Sequence, residues 1–282
     1  MFAPSVPAAA ELTLPAYVRA DGGVRLRFGR TGTRTQRLAL AESGGYRARF
    51  PDTFGDACEA VLINTGGGMA GGDRMRVEAV LEAGSDAVIA TQAAEKIYRS
   101  QGAETRIETM LSVGEGASLA WIPQESILFS GARLSRSLSI ELAADARLVA
   151  CESVFFGRSA MGETVERGAL RDRWRVRRGG RLVFAEDMRL EGPVAQLLAR
   201  PAIGAGARAA ATLLVAGSGL ATLLEAARAC LSEAADVEGG AGIVSELLVI
   251  RLVSPEAAPL RRVLVTLLGH LTGRALPRTW ST

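Results

Sequence analysis

The feature that most limits how this chain can fold is a period-two alternation of apolar and polar residues from about residue 24 to 190, broken about every 8 to 12 residues by Gly or Asp turns. Successive side chains of a strand point to opposite faces, so the pattern predicts many short strands, each turning one face to a core. Within residues 134–142, Leu138, Ile140 and Leu142 fall on one side and Ser135, Ser137, Ser139 and Glu141 on the other, ahead of a turn at Asp145. Residues 106–113 place Ile107, Leu111 and Val113 on one face, and Gly114-Glu115-Gly116 leads into residues 118–122; the two segments read as a hairpin. After about Ala202 the period lengthens to that of a helix: Leu220, Leu223, Leu224, Ala227 and Leu231 form one stripe. Leu260, Val263, Leu264, Leu267, Leu268 and Leu271 form a second, with Pro259 suited to its first helical position. Residues 243–253 between them read as a strand. The expectation is one domain over residues 1–282, mostly β over about 20–200 and helix-strand-helix over about 203–282. The Gly- and Ala-rich joint at residues 203–211 is too apolar for a free linker, so the helical part should pack on the strands.

Composition narrows the function classes. A chain of 282 residues, 48% hydrophobic and 22% charged, has material for a large core and is no disordered segment. Its net charge is +3 with arginines and acids interspersed, which argues against a phosphate backbone as partner. No apolar run approaches the roughly 20 residues that cross a bilayer. The first 16 residues lack the basic start and continuous apolar stretch of a signal peptide, so a cytoplasmic protein without a membrane partner is expected. Cys58, Cys151 and Cys230 lie far apart with no C-x-x-C spacing, which rules out a disulfide scaffold or a zinc knuckle.

Two segments and one recurring pattern are candidates for chemistry. The glycine cluster of residues 64–73 lacks the G-K-[ST] of a phosphate loop; Asp73 follows the glycines and a strand begins at Arg74, leaving an irregular turn or another kind of functional loop. The segment containing Thr91, Gln92, Glu95, Lys96, Tyr98 and Arg99 gathers polar groups around the only lysine, as a site or as a surface cluster of Glu95, Lys96 and Arg99. The pattern is that four acids share a register with apolar residues. Asp73 aligns with Met75, Val77, Ala79 and Leu81; Glu125 with Leu119, Trp121, Ile127 and Phe129; Glu152 with Leu148, Ala150, Val154 and Phe156; Glu186 with Leu182, Phe184, Met188 and Leu190. A buried ionised carboxylate costs several kcal/mol, so each must be paired, protonated, metal-bound or beside water. Bulges or buried arginines are the structural explanation. The functional one is a hydrated, acid-lined path that attracts cations. Tight zinc, copper or nickel sites favour imidazole or thiolate, and this chain has one histidine and three scattered cysteines, so no tight metal site is predicted. His270, in the last turn of the final helix, serves the helix dipole or a metal. Carboxylates with water hold a divalent ion weakly, which suits transfer more than storage.

These residues resemble the UreD family of urease accessory proteins, called UreH in some bacteria. The likeness rests on LINTGGGMAGGDRM, TQAAEKIYRS, WIPQESILFSGARL, Phe156-Gly157-Arg158, Met161-Gly162-Glu163-Thr164 and Leu276-Pro277-Arg278-Thr279-Trp280, in order from about Ala60 to the C-terminus. It implies a mainly β fold of stacked, β-helix-like strand layers with C-terminal helices. It also implies a non-enzymatic scaffold that helps deliver nickel, transiently held, to apo-urease through an internal tunnel. The implied partners are UreF, through it the GTPase UreG, and the urease structural subunits, with the C-terminal helices as the expected UreF contact. By motif, the family's acids fall on Asp73, Glu152 and Glu186 and its lysine on Lys96, whereas Glu95 stands where the family often has Ser or Thr. Two other readings are an interaction module without a metal path and a carbohydrate-active enzyme using Glu152 and Glu186 as its two carboxylates.

Overall fold

The computed structural model describes residues 19–53, 55–158 and 161–281; the N-terminal segment assessed above for a signal peptide lies outside them. The chain opens with β1 (Asp21–Thr31), β2 (Arg34–Ser43), β3 (Tyr46–Arg49) and β4 (Cys58–Asn64). It then winds through β5 (Arg74–Leu81), β6 (Asp86–Thr91), β7 (Glu95–Ile97), β8 (Thr105–Val113), β9 (Ser118–Trp121), β10 (Ser126–Leu128), β11 (Arg133–Leu142), β12 (Arg147–Phe156) and β13 (Gly168–Arg178). It continues through β14 (Arg181–Gly192), α1 (Val194–Leu198), β15 (Ala209–Ala216), α2 (Leu220–Ser232), β16 (Glu238–Val244), β17 (Leu247–Ser254) and α3 (Ala257–Thr272).

Two sheets result. The first has the order β14-β13-β11-β8-β5-β1-β2, the second β16-β17-β15-β12-β9-β6-β4-β3, with β7 and β10 in a short ladder that joins β12. Through the middle of the chain, consecutive long strands alternate between the sheets, so β5, β8, β11 and β13 pair in parallel in one and β6, β9 and β12 in the other. This is the β-helix-like stack. Its corners stack too: the Gly84 N–H donates to Glu115 O (2.8 Å) and the Gly116 N–H to Asp145 Oδ1 (2.9 Å).

The expected hairpin of residues 106–122 is therefore corrected: β8 and β9 follow each other in the chain but lie in different sheets. Period two and a short glycine turn are common to a hairpin and a solenoid corner, and only pairing partners separate them. The C-terminal part also differs from helix-strand-helix. Part of the Ala-rich joint becomes β15, antiparallel to β12 and β17. The single strand at 243–253 is part of a two-stranded unit, β16 and β17, folded at Ser245 and Glu246 with φ of 45° and 69°. Neither residue is a usual left-handed turn former, so the turn left no signal. Helix α3 begins two residues before Pro259, which sits in the first turn where its missing N–H costs no helical bond.

Three layers enclose two cores. Phe28, Leu111, Leu138 and Trp174 pack between the sheets. Ile122, Leu213, Ile250, Leu264, Leu267 and Leu268 pack between the second sheet and the helices α2 and α3. Strand β12 shows both: Leu148, Ala150, Val154 and Phe156 face the inner core, Val149, Cys151 and Phe155 the helix side. Full burial of a leucine is worth about 1.5–3 kcal/mol, so the leucine face of α3 holds it in place more than any cap does.

Candidate functional site

Between the sheets lies a cavity of about 260 Å³. Its exposed end is bounded by Gln92 and Lys96, with Gly67 and Gly68 of the glycine turn. Its buried end is formed by Trp121, Arg136 and Glu152. The turn's glycines have a local cause. Gly68 sits at φ 149°, and a Cβ there would lie 2.5 Å from the Tyr98 ring, whose hydroxyl donates to Gly67 O at 2.9 Å. The cluster shapes the cavity rim.

At the buried end, Arg136 reaches inward from β11 and meets two carboxylates. Its Nε lies 3.0 Å from Glu152 Oε2, and its Nη2 pairs with Asp172 of β13, the residue opposite it in the parallel ladder. The Trp121 indole N–H donates to Glu152 Oε1 at 3.2 Å. One guanidinium between two carboxylates leaves this end one negative charge in excess when both acids are ionised. Burial pushes the Glu152 carboxyl up from the usual range, the Arg136 charge pulls it back, and Asp172 pushes it up again. The hydroxyls of Tyr46 and Thr109, each on a residue 2% exposed, line the same cavity without a hydrogen-bond partner among the described residues. An unpaired buried hydroxyl costs about 1–3 kcal/mol, so such a lining calls for water or a hydrated ligand.

Glu95 sits near the other end. Its N–H bonds Glu125 O at 2.9 Å, which fixes β7 beside β10, and its Oε1 accepts from Asn64 Nδ2 at 2.9 Å. Burial raises its pKa to about 7; the Asn64 bond opposes the rise, Asp73's charge adds to it and Lys96 opposes it. The folded pKa therefore lies above the unfolded value near 4.5. Between these pH values the folded chain keeps a proton that the unfolded chain has released, so stability falls as pH rises from about 4.5 to 7. Glu95→Gln should remove that slope. Relative to the parent, the variant should gain roughly 2–3 kcal/mol in denaturant unfolding on going from pH 5 to pH 8. Equal pH dependence in the two chains would contradict this.

Of the four acids singled out by register, Glu152 lines the cavity, while Asp73, Glu125 and Glu186 lie outside its lining and hold other partners. Asp73 accepts from the N–H groups of Ala20 (2.9 Å) and Ala70 (2.7 Å), closing the glycine turn. Glu125 pairs with Arg261 of α3 at 3.0 Å; the irregular segment at Pro123 and Gln124 breaks the register that aligned it with Trp121. Glu186 pairs with Arg251 of β17 at 2.9 Å, tying the two sheets together at one end. A register shift beside Val176 and Arg177 turns Leu182, 49% exposed, out of the apolar set. Glu152 and Glu186 thus do not meet as a carboxylate pair.

In the other segment, Thr91, Gln92, Glu95 and Lys96 line the cavity, while Tyr98 packs edge-on to Phe129 at 5.1 Å and Arg99 bridges by its backbone to Ala132. His270 is exposed in the last turn of α3. The register rule also applies to Arg136 and Asp172, which the sequence reading did not single out: Arg136 shares a face with Leu134, Leu138 and Ile140, and Asp172 with Leu170, Trp174 and Val176. Among the described residues no three of His, Cys, Asp and Glu gather as a metal-holding group.

A family model described as UreD urease accessory protein matches residues 20–281. The chain belongs to the UreD family. The chain is 50% identical to the urease accessory protein UreD of a Methylobacterium species over 273 residues, covering 95% of this chain and 97% of the relative. It is 44% identical to the UreD of Azorhizobium caulinodans, over 95% and 98% of the two chains, and 45% identical to that of Rhodopseudomonas palustris, over 96% and 97%. The UreD match spans both ends of the cavity and the helical layer. UreD proteins form an accessory family, not a known enzyme family. No helix among the described residues of this UreD chain is long and apolar enough to cross a membrane.

Proposed function

We propose that this chain acts in urease maturation as a non-enzymatic cytoplasmic scaffold that passes nickel(II) toward apo-urease through the inter-sheet cavity, in a complex with UreF and, through it, UreG. The observation that supports the reading best is one cavity that runs from an exposed rim to a buried end, which carries excess negative charge when Glu152 and Asp172 are both ionised, with the carboxylates of Glu95 and Glu152 and two hydroxyls unpartnered among the described residues in its lining. Such a lining attracts a dication and keeps it hydrated, and oxygen donors without imidazole or thiolate let it leave. In this reading Glu95 and Glu152 bear on the ion, while Asp73, Glu125 and Glu186 hold the walls.

Helix α3 is the proposed UreF contact through its exposed residues Arg262, Val265 and Thr266, because its leucine face is already buried against the second sheet. Cutting the chain at Leu260 would strip that core, so surface substitutions are the better probe. The test is co-expression with the urease subunits, UreF and UreG, with and without this chain. The expected result is that the chain co-purifies with UreF and urease and that nickel-dependent urease activity collapses without it. Full activation in its absence would overturn the reading.

A further inference from the structure

Each of the four acids that share a register with apolar residues has a partner in the fold: Glu125, Glu152 and Glu186 an arginine, Asp73 two backbone N–H groups. Glu95 differs. It is largely buried and lines the cavity, yet among the described residues no arginine or lysine forms an ion pair with it. One of its oxygens takes the Asn64 amide. Lys96, the next residue, favours its charge only at a distance, and Arg47, also in the lining, gives its guanidinium to Gly44 O (2.9 Å) and Tyr46 O (2.7 Å). The second, independent feature is Tyr46. Its hydroxyl is buried, unpartnered and part of the same cavity wall, and Glu95's charge acts on it.

A largely buried carboxylate with one oxygen free and a hydroxyl in the same wall without a partner, both among the described residues, make an oxygen-donor pair short of one positive charge, and the Asn64 amide only orients the carboxylate, since its own oxygen accepts from the Gly66 N–H at 2.9 Å. Hard and borderline dications accept carboxylate and hydroxyl oxygens together with retained water. We propose that Glu95 is the first protein ligand of a hydrated divalent cation near the cavity mouth, with the Tyr46 hydroxyl joining through the ion's water shell. The inference rests on the cavity being a cation passage, and it assigns the entry position within it. A monovalent cation would gain too little against water to hold there, and an anion would meet Glu95 itself.

The test is titration of the purified full chain with Ni²⁺ alone, and with Mn²⁺ alone followed by its magnetic resonance signal. Glu95→Gln should weaken binding by at least about tenfold, since ligand charge count sets affinity at oxygen sites, and Glu95→Asp should keep most of it. Tyr46→Phe should weaken it less, and Glu186→Gln should leave it unchanged. Binding in Glu95→Gln equal to the parent, or a parent chain that takes up neither ion at millimolar concentration, would overturn the proposal. The two readings separate cleanly. Loss of the site in Glu95→Gln with urease activation intact keeps the site and overturns its part in transit. Unchanged ion binding in Glu95→Gln with activation lost overturns the site and leaves the passage standing.

Discussion

Arg136→Met is expected to cost about 3–5 kcal/mol of stability, because it strips from two buried carboxylates the one cation that pairs with them among the described residues. Glu152 and Asp172 are 4% and 6% exposed, and water in the cavity brings no positive charge to stand in for the guanidinium. The chain's remaining recourse is to protonate, so the loss should be smaller at pH 5 than at pH 8. Adding Glu152→Gln and Asp172→Asn to Arg136→Met should recover most of the stability, since a neutral trio has no charge to strand. Denaturant midpoints of the three chains at both pH values test this. An Arg136→Met chain as stable as the parent at pH 8 would show that these acids are neutral or solvated in the fold, and the charge excess at the cavity's buried end would be gone with it.

The elements of this fold were legible where one face decides the pattern. Alternation located the strands, and in β12 it placed Glu152 on the inner face, where it lies. Topology was not legible, because β8 followed by a glycine turn and β9 has the same local pattern whether the strands pair with each other or with their neighbours one coil away. The rule failed at Glu125 for a different reason: Pro123 and Gln124 leave the ladder, and a strand's phase is lost wherever pairing lapses. It failed at Leu182 through a register shift. Arg136 and Asp172 obeyed the rule and needed only the same test applied to every charge. Glu95 stood out from its local sequence, but that it shares a cavity with Tyr46 and Glu152 is a tertiary fact, made by β3, β7 and β12 coming from three separate stretches of chain.

If the cavity's negative end moves the cation as proposed, Glu152→Gln shows it with the least disturbance. The substitution keeps shape and an acceptor for the Trp121 indole while taking the trio with Arg136 and Asp172 from the net charge of −1 it has when both acids are ionised to zero. A cleft that loses its field loses its hold on passing ions, and fields of this kind change association about 10- to 1,000-fold. Urease co-expressed with UreF, UreG and the Glu152→Gln chain should therefore show nickel-dependent activity at least about tenfold below that with the parent chain, while the same polypeptides co-purify in the same ratio. Full activation by Glu152→Gln in an intact complex would rule out the passage, and would leave this chain as a scaffold that opens urease to nickel from solution.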